Sequence, residues 1–150
     1  MIHETAIIEN RQLMPEDASI GWYSIVRGFV TIGHNFRLGS HSSIEGDVLI
    51  GNDVTIRGKC EIPTSVIGSR VSIYSGVKFY DTPNPPDGPN LPPVIGDDVT
   101  ICCDAAILGG VTIGERSFIG ARVFVTESVP ADSYVTLAHP RMDYVVRPRR

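Results

Sequence analysis

The sequence is short of almost everything that marks a membrane-spanning, nucleic-acid-binding or disulfide-built protein. It has no apolar run of about 18 residues, the length that a membrane-spanning helix needs. Its start carries no recognisable secretory signal, so no membrane partner is expected. Basic residues number 13 against 17 acidic ones, and a net charge of -4 leaves no cationic surface for a phosphate backbone. No nucleic-acid partner is expected either. Cysteine is scarce: Cys60 stands alone, and Cys102 and Cys103 are adjacent. That spacing suits neither a disulfide framework nor a zinc motif, and a reducing cytoplasm is the simplest location. The spacings of 3.6 and 2 that mark amphipathic helices and half-buried strands do not account for the apolar pattern either. At 150 residues the chain is expected to be one domain.

What is present is a period of six. The stretch VIGDDVTICCDAAILGGVTIGERSFIGARVFV, Val94 to Val125, returns an aliphatic side chain at Ile95, Ile101, Ile107, Ile113, Ile119 and Val125. A second, mostly smaller residue follows four positions later, at Val99, Ala105, Val111, Ser117, Val123 and Val129. Each unit reads as a short strand with two inward side chains, closed by a corner that wants Gly, Asp or Asn at positive φ. The same grid fits the first half through Ile2, Ile8, Met14, Ile20, Val26, Ile32, Leu38, Ile44, Ile50, Ile56 and Ile62. Ser24, Ser42, Cys60 and Val66 are among its second inward residues, and Gly21, Gly33, Gly39 and Gly51 fill its corners. Gln12 and Phe36 fit poorly, and Phe36 is expected outward with Trp22 and Tyr23. After Val66 the phase slips by one residue, Ile67, Ile73 and Phe79 continue, and the rhythm then stops until Ile95. A fixed short repeat predicts a solenoid, in which each unit buries its apolar face against its neighbours.

The interruption, YDTPNPPDGPNLPPV, covers residues 80–94 and is too rich in proline to form a strand. It predicts a loop thrown out of the solenoid. It is either a tolerated surface insertion or a segment stiffened to hold one shape at a site. The predicted organisation is one domain over 1–150, with a solenoid over 1–135, the loop at 80–94 and a tail at 136–150.

These repeats resemble the hexapeptide-repeat, left-handed parallel β-helix family, whose unit is aliphatic, glycine, two variable residues, a small residue and one more. The resemblance covers roughly residues 2 to 130. It implies an all-β fold in which three units make one triangular coil. The segment from Ile95 to Pro140 looks like the end of the sugar and small-molecule O- and N-acetyltransferases of this family. Their closing Val-Pro turn and Gly-Asn-Pro-Ala-Lys segment become Val129-Pro130 and Ala138-His139-Pro140-Arg141-Met142 here. The resemblance implies a homotrimer whose extruded loop helps form a cleft between subunits, where acyl-coenzyme A and a small-molecule acceptor meet. It places a coenzyme A groove along Ala105, Gly110, Ala121, Thr126 and Arg141, the small residues admitting the pantetheine arm and Arg141 pairing with a phosphate. Ala105 and Ala121 are equally open to a second role, letting the corners turn.

Relatives in this family use a loop histidine as the general base that takes the acceptor's proton. Counting from Val77, that position is Asn84, and an amide is no base near pH 7. Gly76 likewise stands where many relatives carry an asparagine. The remaining candidates are His41, crowded by small polar residues and Glu45, and Asp81 at the start of the loop. Trp22, Tyr23 and Arg27 fall on outward positions, and Trp22 and Tyr23 could stack on a planar group or sugar ring or pack against a neighbouring subunit. His34 also projects outward. A γ-carbonic-anhydrase-like metal site would need three histidines brought together across a subunit boundary, which this spacing does not match, so no metal is expected. Two functions stand open. One is transfer of an acyl group, acetyl by preference, from acyl-CoA to a hydroxyl or amine of a sugar-like or secondary-metabolite acceptor. The other is a catalytically divergent solenoid that binds a small molecule or partner at the same cleft.

Overall fold

The computed structural model describes residues 1–83 and 88–137, and over them the six-residue unit becomes one side of a triangular coil. Strands are two or three residues long because each inward pair is soon followed by a corner. They pair only in parallel and only with the coil above or below. Face one stacks Ile7–Ile8, Ile25–Arg27, Ser43–Glu45, Glu61–Ile62, Lys78–Phe79, Ala106–Ile107 and Phe124–Val125. Face two stacks Val30–Ile32, Val48–Ile50, Ser65–Ile67, Val94–Ile95 and Thr112–Ile113. Face three stacks Ser19–Ile20, Arg37–Leu38, Thr55–Ile56, Ser72–Ile73, Thr100–Ile101, Phe118–Ile119 and Tyr134–Val135. The chain runs one, two, three and back to one, the architecture of the left-handed parallel β-helix, with no α-helix among the described residues. In the first coil a single 3-10 turn, Arg11–Leu13, replaces the strand of face two, which is why Gln12 fits the grid badly.

Register shows where the repeat holds and where it breaks. Ile25 lies beside Ser43 and Ser43 beside Glu61, so 18 residues complete one coil. Val48 pairs with Ser65, a coil shorter by one. The slip therefore falls at Pro63–Thr64 and not after Val66. Ser65 takes the buried position, its hydroxyl donating to the Pro63 carbonyl at 2.8 Å, and Val66 turns half outward. The next coil is long, since Val66 pairs with Val94, 28 residues on. The surplus is the proline-rich loop.

The core is three columns of inward side chains, dominated by isoleucine from Ile20 to Ile113. Phe36, expected outward, is instead fully buried at 0% exposure and is the largest of the fully buried side chains. It occupies the second inward slot of its unit, where Val54 and Val71 stand in the next two coils. The serines in these slots are not left unpaired: Ser24 donates to the Gly39 carbonyl at 2.9 Å, Ser42 to Arg57 at 3.0 Å and Ser117 to Pro130 at 3.0 Å. No buried side-chain nitrogen or oxygen among the described residues lacks a partner.

The corner glycines serve a different purpose from the one expected. Positive φ falls two residues after the glycine position, on Tyr23, Asn35, His41, Asp53, Lys59, Arg70, Asp98, Asp104, Arg116, Arg122 and Asp132. Gly33 and Gly96 are needed for closeness. A Cβ on Gly33 would stand 2.7 Å from the Gly51 carbonyl carbon, and one on Gly96 would stand 2.7 Å from the Glu115 nitrogen. The next coil leaves no room for a side chain.

Phe36→Ala would empty the largest slot of a column whose neighbours are held by strand pairing and cannot collapse into it. A loss of about 3–5 kcal/mol is expected, read from the midpoint of chemical denaturation.

Candidate functional site

The loop leaves from the corner between faces one and two, and both of its ends are fastened there. The Leu91 amide donates to the Asp81 carbonyl at 2.7 Å, and the Gly110 amide donates to the Leu91 carbonyl at 2.6 Å. Gly109 lies buried beneath this closure. A Cβ there would meet the Thr82 backbone nitrogen and carbon at 2.5 Å and the Leu91 oxygen at 2.8 Å. Gly110 follows at φ +77, a turn that L side chains rarely adopt. Gly109-Gly110 is thus the seat on which the loop rests. Tyr80 and Phe124 meet beside it, ring centroids 6.3 Å apart, a contact that the grid gave no reason to expect.

Two members of the predicted coenzyme groove share this edge. Gly110 sits one coil from Thr126, which is exposed and lines a concavity of about 430 Å³ together with Phe124, Glu127, Ser128, Ser133 and Tyr134. The others separate. Ala121 is exposed on the corner between faces three and one. Ala105 is 1% exposed and points into the core, so its side chain cannot line a groove. The strand alternation that turns Ala105 inward turns Ala106 outward, between Lys78 and Phe124 on face one. Arg141 lies outside the described residues.

The catalytic and substrate candidates are spread over all three corners. Asp81 is half-buried at the loop base. Asn84 lies outside the described residues. His41 is on the corner between faces three and one at φ 58, its ring stacked 5.3 Å from Tyr23, with Trp22 adjoining. His34 is on the corner between faces two and three, where its ring nitrogen is 3.8 Å from Asp17 and where Glu16, Asp17 and His34 line a recess of about 300 Å³. Arg27 ends a strand of face one beside Glu45. Within one chain, then, His41 and Asp81 do not meet. No cluster of three or more His, Cys, Asp or Glu side chains arranged to hold a metal occurs among the described residues.

Charge is ordered most strongly on the His34 corner. Arg70 reaches Asp98 at 2.7 Å and Arg116 reaches Asp132 at 2.7 Å, so each arginine spans two coils. The hydrogen bond from Arg70 holds the Asp98 carboxyl below its ordinary range. Of the thiols, Cys60 is buried with Sγ 3.1 Å from the Tyr74 carbonyl, and burial pushes its pKa up to about 11. Cys103 is exposed.

The fold and repeat can now be set beside known proteins. A family model described as bacterial transferase hexapeptide (six repeats) matches residues 92–127, the stretch that carries the loop seat and the coils beyond it. The chain is a hexapeptide-repeat β-helix, similar in this segment to the bacterial transferases that the model describes. A serine acetyltransferase of Synechococcus elongatus is 42% identical over 87 residues, covering 53% of this chain and 27% of that protein. The bifunctional protein GlmU of Geotalea uraniireducens is 34% identical over 104 residues, covering 69% of this chain and 18% of that one. The chain thus spans less than a third of either relative. A hexapeptide-repeat acetyltransferase of Vibrio cholerae, solved with acetyl coenzyme A, shares the fold at a TM-score of 0.51 and 23% identity, over 87% of this chain and 64% of that one.

Two outcomes follow from the loop seat and the thiols. Gly109→Ala should lift the loop base, seen as faster hydrogen exchange at the Leu91 and Gly110 amides while the isoleucine core stays protected. Iodoacetamide at pH 8 should label Cys103 and leave Cys60 unmodified until the protein unfolds, because a thiol titrating at about 11 stays protonated there. Peptide mass spectrometry reads both sites.

Proposed function

We propose that the protein transfers an acyl group, acetyl by preference, from acyl-coenzyme A to a hydroxyl or amine of a sugar-like or secondary-metabolite acceptor, acting as a cytoplasmic homotrimer. The observation that carries this reading is the single edge on which the fastened proline-rich loop, Gly110 and Thr126 lie together, within and beside the segment that matches the family model. A pantetheine arm is long and thin. It needs a row of small, exposed positions with free backbone groups more than it needs a deep cavity.

The partner in this reading is a second and a third copy of the chain. The outward column of face two, Thr31, Leu49, Val66, Val94 and Thr112, holds no charged residue. It adjoins the loop base, and Phe29 stands beside it at 83% exposure. Such a face favours contact with another copy over contact with water. Contact between copies is also what the scattered candidates require. His41 is one corner away from its own loop, so as the base it would act on an acceptor held by a neighbouring subunit's loop. Asp81, the second choice, would act from the loop base itself. Asn84 would orient the acceptor. A second reading, a solenoid that binds without catalysis, is favoured by one observation: no histidine occurs in residues 80–94.

Calorimetric titration with acetyl-CoA separates these readings, since a pure scaffold has no reason to bind it; light scattering should give three times the chain mass. With acyl transfer followed by release of free coenzyme A thiol, His41→Ala should lower turnover by about 10²–10⁴. Undiminished turnover would remove His41 and leave Asp81 as the base to test.

A further inference from the structure

Tyr23 and His41 hold the same position in successive coils of the corner between faces three and one. Both are left-handed, at φ 54 and φ 58, so their side chains leave the corner in the same direction. The two rings lie 5.3 Å apart at 28°. Later coils place Lys59, Gly76, Asp104 and Arg122 at this position, so Tyr23 is the column's one aromatic ring beside His41.

The backbone beneath the pair is fixed from coil to coil. Tyr23 N–H donates to Thr5 Oγ1 at 3.0 Å, and Thr5 Oγ1 stands 2.9 Å from His3 Nδ1. His41 N–H donates to the Trp22 carbonyl at 2.9 Å. Just beyond the corner, Ile25 and Ser43 pair in the sheet of face one. The tyrosine is thus anchored on the coil before it, and the histidine on the tyrosine's own coil.

An exposed imidazole on a bare corner turns freely about two side-chain bonds, and only some orientations aim a nitrogen at an acceptor. A ring stacked on one of its faces removes part of that freedom. Both imidazole nitrogens lie in the ring plane, so covering a face leaves them open at the edge. Holding a base in a reactive orientation raises turnover more than it raises binding. His34 shows the contrast. It is also exposed on a corner, and among the described residues no aromatic ring stacks on it.

We propose that Tyr23 is a positioning residue: its ring fixes the plane of the His41 imidazole, and it acts through that imidazole and not by binding the acceptor. The proposal rests on the reading of His41 as the base in acyl transfer.

Two measurements on the full chain test it. Release of coenzyme A thiol from acetyl-CoA is followed with D-glucosamine, D-galactose and maltose as acceptors, in His41→Ala, Tyr23→Ala, Tyr23→Phe and the Tyr23→Ala/His41→Ala double variant. Tyr23→Ala should lower kcat about tenfold with little change in the acceptor's KM, Tyr23→Phe should keep full turnover, and the double variant should be no slower than His41→Ala. In proton NMR, the His41 ring signals are those that vanish in His41→Ala. They should sit upfield in the parent and in Tyr23→Phe, and lose that shift in Tyr23→Ala.

Ring signals unmoved by Tyr23→Ala overturn the proposal. So does a raised acceptor KM that persists in the double variant, since Tyr23 would then bind the acceptor itself. A loss in Tyr23→Phe equal to that in Tyr23→Ala also overturns it, because the hydroxyl and not the ring would be acting. Slowed turnover in His41→Ala with none in Tyr23→Ala defeats this proposal alone. Undiminished turnover in His41→Ala defeats the reading of His41 as the base, and this proposal with it. Thiol release with none of the three sugars defeats the sugar-acceptor reading as well.

Discussion

Everything in this molecule depends on the spacing of parallel strands, about 4.8 Å from coil to coil. At that spacing inward and outward side chains stack side by side, but a Cβ directed at the next coil meets its backbone. Gly33 and Gly96 mark such points, and in each the neighbouring backbone occupies the volume. The same spacing aligns inward residues into columns, so one unit's choice of side chain constrains the units above and below. Phe36 is accommodated because the residues of its column in the next two coils are the smaller Val54 and Val71. The buried serines belong to the same logic, since each hydroxyl finds a carbonyl at a nearby turn.

Much of this was legible in the sequence because a period of six leaves little freedom once it repeats many times. The columns from Ile20 to Ile113 and the position of the loop both follow from it. What was misread concerns residues whose chemistry pointed one way and whose slot pointed another. Phe36 looked like an outward aromatic in a grid of aliphatics, although its slot is inward. The slip lies before Val66 and not after it, because the corner at Pro63–Thr64 is one residue shorter and puts Ser65 inside. Ala105 was assigned to a surface groove for its small size, while the grid had already counted it among inward positions. Ala106 is the outward one.

The candidate site was legible only in part, for a reason inherent in the architecture. Sequence spacing gives the side of the triangle a residue occupies, but not which side of another copy faces it. His41, Asp81 and His34 therefore resolve onto separate corners, and in the proposed chemistry His41 reaches a loop-held acceptor only where copies meet. The left-handed corner residues add a second pattern absent from the hydrophobic grid. Asn35 with Asp53, Arg70 with Asp98 and Arg116 with Asp132 bond across coils. These ladders run outside the core and can change without disturbing it.

The 28-residue coil has a kinetic and evolutionary meaning as well as a local one. Closing a chain segment becomes harder only with the logarithm of its length. Extending a turn of the solenoid from 18 residues to 28 therefore adds only about 0.4 kcal/mol of closure entropy, by the usual (3/2)RT ln n scaling. A solenoid with its register held on both sides of the excursion can accept, lengthen or replace such a loop at almost any corner. Sequence drift in the loop is then nearly free of any effect on folding, and selection on it can act through what it binds.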